Sequence, residues 1–343
     1  MRMRRRKKGI SKGTIAILVA LIAIPLFFYS QYQKDINTPV DETSDTTVHF
    51  RIDRGESAKT IGKKLEEEGL IRNARSFYIY IKRNEPEINI LAGRFPLSPK
   101  MTVPEIIKTI TSPSKAEFVI TILEGHMIRD IDKRLVKMDL ISPGDFKTAV
   151  RNFDDWDRYD FLDREKLSRL DLPLEGYIFP DTYFLNPNDF HSNELIHKAL
   201  NNFERRFAGV RNQISERSIH EIITMASIIE IEVFGREDRK LVSGILWKRL
   251  ENGWRLDADA TLLYIKNDRT ITAADLQSDS PYNTRKLRGL PPGPVSNPGL
   301  ESIEAAINPT PSNYWFYLNR QDTGETIFAE TNDEHNRNRA RYL

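Results

Sequence analysis

The chain of 343 residues carries 51 basic and 49 acidic side chains, a net charge of +2, and is long enough for two or three domains that each bury a core. It contains no cysteine, which excludes disulfides and thiolate metal sites. Seven basic groups (Arg2, Arg4, Arg5, Arg6, Lys7, Lys8, Lys12) crowd the first twelve residues without an acid. Taking them from the net charge leaves −5 for the remainder, a poor sign for a nucleic-acid binder.

In chain order, the basic tail 1–12 is followed by 21 uncharged residues, 13–33, dominated by I-A-I-L-V-A-L-I-A-I-P-L-F-F-Y. That length spans a bilayer as a single helix, with the basic side cytoplasmic and Phe27, Phe28, Tyr29 and Tyr32 at the far interface. A cleavable signal peptide is the competing reading, but the segment lacks an A-x-A-like site, so an uncleaved signal anchor is expected. Residues 34–47 are polar and turn-rich, a predicted linker. Next come the alternating strand V-H-F-R-I-D, a turn at Arg54-Gly55-Glu56, and a helix capped by Ser57 with Ala58, Ile61 and Leu65 on one face. The same block returns 70 residues later. Gly55, Ile61, Leu65, Leu70 and Ile71 match Gly125, Ile131, Leu135, Leu140 and Ile141, which predicts two strand–turn–helix units of related design. Thr111-Ser112-Pro113-Ser114 is the expected boundary after the first. Beyond it, Trp156, Tyr159 and Phe161 are spaced as one helix face, and L-E-G-Y-I-F-P-D-T-Y-F-L reads as extended. Helices are predicted near 190–207, 218–234 and 236–251, followed by a loop-like, proline-dense region from Asn252 and a terminal hairpin.

Residues 218–234 form the stretch of greatest chemical interest. With Ile219 as origin and about 100° per residue, Ile222, Ile223, Ala226, Ile229 and Val233 fall on one stripe. Glu230 falls in the middle of it, whereas Glu221 and Glu232 fall on the polar side and are expected to be solvated. Burial raises a carboxyl pKa, which suits Glu230 to general-acid chemistry; helix geometry alone favours a structural glutamate satisfied by a partner. The six histidines are scattered, and His220-Glu221 lacks the second histidine of an H-E-x-x-H zinc site. No G-x-S-x-G elbow or phosphate-cradling glycine loop occurs, so no metal or cofactor is expected. Carboxylate-assisted glycoside cleavage remains.

Two resemblances extend this reading. Residues 48–112, with strand, R-G-E-S turn and helix, resemble the LysM module, which binds N-acetylglucosamine-containing glycans. The ordered motifs L-E-G-Y-I-F-P-D-T-Y, A-S-I-I-E-I-E, D-A-D-A-T, S-P-Y-N-T and G-L-P-P-G-P-V-S-N-P-G closely resemble the endolytic murein transglycosylases of the YceG-like family. The resemblance implies an α+β protein: a transmembrane helix, a small LysM-like module, and a larger mixed α+β catalytic domain over 113–343. It implies a single-pass enzyme of the bacterial cytoplasmic membrane, N-terminus inside and catalytic domain outside. Such an enzyme cuts the N-acetylmuramic acid–N-acetylglucosamine β-1,4 bond of nascent peptidoglycan without water, leaving 1,6-anhydro ends. The family's catalytic glutamate lands on Glu230, acting as acid and then base. Tyr282 and Asn283 would supply hydrogen bonds from a loop, Asp259 and Thr261 would sit on a polar cleft strand, and Glu232 would line the cleft. Penicillin-binding synthases and elongation proteins are the implied partners. Ile231 and Val233 stand where the family commonly has Lys and Thr, and Asp257 and Ala260 replace a Gln and a Pro. The alternative reading is a non-catalytic glycan-binding anchor for cell-wall synthesis proteins.

Overall fold

The computed structural model describes residues 12–53, 55–84, 88–112, 115–116, 118–185, 190–266, 270–320 and 322–343, with side chains from residue 21 onward apart from Phe118. The basic tail up to residue 11, Arg54 of the first predicted turn, and Pro113 and Ser114 of the predicted boundary lie outside these residues. The architecture is mixed α+β, in two compact units that divide between Phe118 and Val119.

The first unit contains α1 (Lys12–Asn37), β1 (Val48–Ile52), α2 (Ala58–Glu67), α3 (Ala74–Asn84), β2 (Gly93–Leu97) and α4 (Val103–Ile110). β1 and β2 are antiparallel, pairing Val48 with Leu97 and Phe50 with Phe95. Their alternating inward residues, Phe50, Phe95 and Leu97, meet Ile61, Leu65, Phe77, Ile106 and Ile110 in a core without exposed surface. The segment predicted as a linker begins as helix: α1 continues to Asn37, and Asp35 and Ile36 are buried. Asp35 accepts from Ser76 Oγ at 2.7 Å, and the Arg72 guanidinium donates to the carbonyls of Pro39 and Val40. Leu21, Ile22, Leu26, Phe27 and Phe28 of α1 are exposed. Among the described residues no helix is long and apolar enough to cross a membrane, so the fold does not establish the span expected at 13–33.

The second unit opens with β3 (Phe118–Thr121), α5 (Ile128–Lys137) and α6 (Asp145–Arg151). β3 and α5 repeat the local design of β1 and α2. The turns into the helices use Gly55 at φ +80° and Gly125 at φ +76°; the exits use Gly69 at φ +68° and Asp139 at φ +56°. At each exit a leucine N–H returns to the helix, Leu70 to the Leu65 carbonyl and Leu140 to the Leu135 carbonyl. Trp156, Tyr159 and Phe161 are buried as predicted but do not share a helix face. They lie on a short 3-10 turn, Trp156–Arg158, and the loop after it, with Phe161 stacked on Phe203 at 4.8 Å.

The unit continues through α7 (Arg164–Leu167), β4 (Thr182–Leu185, paired with β3), α8 (Ser192–Arg211), α9 (Ile219–Glu232) and α10 (Arg236–Glu251). Then come α11 (Asp259–Ile265), α12 (Leu300–Ile307), the antiparallel hairpin β5 (Phe316–Asn319) and β6 (Thr326–Ala329), and α13 (Asn332–Tyr342). The α-helices α11 and α12 thus occupy the region expected to be loop, and α13 follows the hairpin expected at the end. α9 is the axis of the unit, packed by α10, α11 and α12. Its entry is a capping box, in which Ser218 Oγ accepts from the Glu221 N–H and Glu221 accepts from the Ser218 N–H. Glu221 is therefore a cap rather than only a solvated charge. From Ile222 to Glu230 every residue is buried, so α9 is enclosed on nearly all sides instead of along one stripe.

Candidate active site

Glu230 is 7% exposed, as its position among the apolar residues predicts. The compensation for burial comes from the next helix: Arg239 Nη2 donates to Glu230 Oε1 at 2.9 Å, with Arg239 itself 6% exposed. The second oxygen, Oε2, accepts the Gly299 N–H at 2.9 Å, one of the unpaired donors at the start of α12. Both oxygens accept, the role of a carboxylate. The stripe expected to hold a protonated acid holds half of a buried ion pair. Arg239 is fixed from its other side by Glu301, 2.8 Å away.

The proline-rich loop is threaded along α9. Ser227 Oγ accepts the Val295 N–H, and Ser296 Oγ donates to the Ser227 carbonyl. Asn297 is the junction. Its Oδ1 accepts from the Gly176 and Ile178 N–H groups, while its Nδ2 donates to the His126 carbonyl and to Glu175. Its backbone pairs with the Glu124 turn, Gly125 N–H to Asn297 O and Asn297 N–H to His126 O, each 2.9 Å. Glu175, 1% exposed, caps α5 by accepting the Ile128 N–H, and burial pushes its carboxyl up to about 8. Gly176 has φ +90°, and a Cβ there would overlap Pro294.

A cavity of about 600 Å³ opens beside Glu230. Its walls are Glu124, Gly125, His126 and Met127 from the turn before α5, Arg129, Asp130 and Lys133 from α5, Ile231 and Phe234 from the end of α9, and Leu263. Phe234 is 79% exposed. Glu124 was not singled out in the sequence. The available signal was the repeat itself, because an acid stands where the first copy has Arg54. Arg239 and Gly299 were missed too, since they reach Glu230 only through packing.

The other expected site residues lie elsewhere. Glu232 does point away from the Glu230 side, but it is half-buried rather than free in solvent: Oε1 accepts the Ala260 N–H at 3.1 Å and Oε2 accepts from Tyr317 OH at 3.2 Å. Burial, with nearby Asp259 adding, raises its carboxyl pKa above the ordinary value. It lines a second cavity, also about 600 Å³, with Asp257, Asp259, Arg285 and Tyr317. Asp259 and Thr261 belong to the first turn of α11, not to a strand. Asp259 is paired with Arg285, and fully buried Thr261 bonds the Ala258 carbonyl and Thr284. Asn283 is also fully buried and spent on its own loop, donating to the Leu276 and Ser278 carbonyls and accepting the Arg285 N–H. Tyr282 packs on Tyr264 with ring centres 4.8 Å apart, and burial pushes its hydroxyl up to about 12. None of these five lines the Glu230 cavity. Asp257 holds φ +53°, a backbone an aspartate tolerates, and donates its N–H to Thr284.

Comparison with known proteins covers both units. The model of the YceG-like family matches residues 50–341. A Bacillus subtilis (strain 168) protein named endolytic murein transglycosylase is 31% identical over 327 residues, covering 91% of this chain and 89% of that one. The protein of the same name from Streptococcus pneumoniae serotype 2 is 28% identical over 359 residues, covering 95% of this chain but 64% of the longer relative. Among solved structures, a YceG-like protein of Listeria monocytogenes superposes with a TM-score of 0.61 at 32% identity, covering 86% of this chain and 99% of that one.

Proposed function

The chain belongs to the YceG-like family, and from that premise we propose that it is a peptidoglycan lytic transglycosylase working in the cavity beside Glu230. Cleavage within a strand breaks the bond from the anomeric carbon of N-acetylmuramic acid to its leaving oxygen. The 6-hydroxyl of the same sugar closes on that carbon, giving a 1,6-anhydro end. One proton must reach the leaving oxygen, and one must leave the 6-hydroxyl. The sequence reading gives both transfers to Glu230; its two oxygens, aimed by Arg239 and the Gly299 N–H, suit removal of the second proton directly. That fixed carboxylate beside a cavity of ligand size is the observation that carries the reading. The exposed ring of Phe234 offers a sugar an apolar face to stack on.

The same proposal makes α1 a single-pass anchor in the bacterial cytoplasmic membrane, with its basic tail inside and both units outside. The first unit, resembling LysM, would hold the glycan, and penicillin-binding synthases and elongation proteins are the partners the family suggests. One observation favours the non-catalytic alternative: the Glu230–Arg239 pair is also what a purely structural glutamate would form. Product analysis decides between them. Full-length protein incubated with peptidoglycan strands should release anhydro-ended glycans by mass spectrometry, and Glu230→Gln, folded, should release none. Hydrated ends would make the enzyme a hydrolase, and wild-type activity in Glu230→Gln would leave a glycan-binding anchor.

A further inference from the structure

Glu124 lines the same cavity as Glu230, on the turn before α5 that lies against the Glu230 side chain. Its turn is locked to the chain around Asn297 by two backbone hydrogen bonds, so its position does not depend on its own side-chain contacts. Two residues on, Gly299 stands between the two carboxyl groups. Its N–H donates to Glu230 Oε2, and a Cβ placed on it would overlap Glu124 Oε1. The bare Gly299 leaves room for the Glu124 carboxyl while its N–H serves Glu230, so both acids meet at this residue. The environments differ sharply. Glu230 is buried, with both oxygens occupied by fixed donors; Glu124 is solvent-accessible and makes no hydrogen bond among the described residues.

The charges around Glu124 come from several elements: Glu230 on α9, Arg239 on α10, Glu301 on α12, and Arg129, Asp130 and Lys133 on the α5 wall. Arg239 is turned to Glu230 and Glu301, and Arg129 donates to the Leu263, Tyr264 and Lys266 carbonyls at the end of α11. Partial burial and the negative charge of Glu230 both raise the Glu124 carboxyl pKa, with Arg239 opposing. Two carboxyl groups in one cavity, one fixed as an acceptor by Arg239 and Gly299 and the other open to solvent, can divide the acid and base tasks of a site.

We infer that Glu124 is a second catalytic carboxyl, delivering the proton to the leaving glycosidic oxygen while Glu230 takes the proton of the 6-hydroxyl; this rests on reading the cavity as the cleavage site. The step balances. The Glu124 proton goes to the oxygen leaving the anomeric carbon, the 6-oxygen forms the new bond to that carbon, and its proton passes to Glu230. The pair resets by proton exchange with solvent, Glu230 losing the proton it took and the solvent-exposed Glu124 regaining one, so no oxidant or metal is consumed.

The test compares full-length wild type, Glu124→Gln, Glu124→Asp and Glu230→Gln on uncrosslinked peptidoglycan strands between pH 4 and 9, counting anhydro ends by mass spectrometry. Glu124→Gln should lower kcat by about 10²- to 10⁴-fold, with KM within about threefold of wild type. Wild type should show an alkaline fall in kcat/KM that the residual activity of Glu124→Gln lacks, and the Tm of Glu124→Gln should be unchanged. Glu124→Asp should keep that alkaline fall and recover part of the rate. Wild-type rates in Glu124→Gln, or an unchanged alkaline limb, overturn the inference while leaving Glu230 in place. Wild-type rates in Glu230→Gln instead sink the underlying reading of the cavity.

Discussion

Glu230 and Glu232 stand two residues apart at the end of α9, project to opposite sides, and open on two cavities of similar volume. Each also caps a helix that follows much later in the chain: Glu230 accepts the Gly299 N–H at the start of α12, and Glu232 accepts the Ala260 N–H in the first turn of α11. What differs is the company. Glu230 has a buried cation, an exposed aromatic ring at the cavity wall and a second acid across the space. Glu232 takes hydrogen bonds only from neutral donors, Ala260 N–H and Tyr317 OH, and burial, with the like charge of Asp259 outweighing Arg285, raises its carboxyl pKa. A raised carboxyl pKa taken alone would select Glu232 as the acid. The geometry around Glu230, with a fixed acceptor facing a second carboxyl, selects the other cavity.

Activity should separate the pair most widely. Glu230→Gln is expected to lose about 10³-fold or more in kcat, while Glu232→Gln, keeping the shape of its cap, should stay within about tenfold of wild type. Release of anhydro ends under saturating substrate measures both, and equal losses would erase the distinction between the cavities.

Stability should separate them next. Arg239→Met leaves Glu230 buried without its cation, which costs about 3 kcal/mol and lowers Tm by on the order of 10 °C. Adding Glu230→Gln to Arg239→Met should recover more than half of that loss, because the charge left stranded is then gone. A double variant no more stable than Arg239→Met would mean that Arg239 acts mainly through Glu301. A smaller effect is expected at the mouth of the Glu230 cavity. Phe234→Ala should raise KM by about three- to tenfold with kcat nearly unchanged, the size of one lost stacking contact. An unchanged KM would remove Phe234 as a sugar platform.

Much of the framework was legible. The 70-residue repeat, the α9 limits and the central place of Glu230 follow from glycines, a capping serine and helical periodicity, all of them local signals. α11 and α12 were not legible, and the reason is physical. Neither starts with a side-chain cap of its own, Ala258 and Gly299 holding the cap positions. Their free N–H groups are satisfied instead by glutamates 28 and 69 positions earlier in the sequence. The same distance effect hid the site. Glu124, Arg239 and Gly299 come from three segments and meet only when the Asn297 junction closes. Asn283, expected to bond from a loop, and Thr261, expected on a polar cleft strand from the family resemblance, are buried with their hydrogen bonds turned to their own loops and helix turn.

The finest discrimination lies in how stability follows pH. Glu232 has a folded pKa above its unfolded value near 4.5, raised first by burial and then by Asp259. Below pH 4.5 both states carry the proton, so the group's full contribution is present. As pH rises past 4.5 the unfolded chain releases its proton while the folded chain retains it, and stability falls until the folded pKa is passed. Glu175 acts with the same sign over the window from about 4.5 to about 8. In a Glu175→Gln background, Glu232→Gln should therefore flatten the remaining decline of Tm above pH 4.5 by roughly one to three degrees, measured by calorimetry at fixed ionic strength. Its Tm at pH 4 should match the parent, since a protonated glutamate and a glutamine make similar bonds to Ala260 and Tyr317. If the slope is unchanged, Glu232 is ionised in the folded protein, and the distinction between the two cavities rests on Arg239, Phe234 and Glu124 around Glu230.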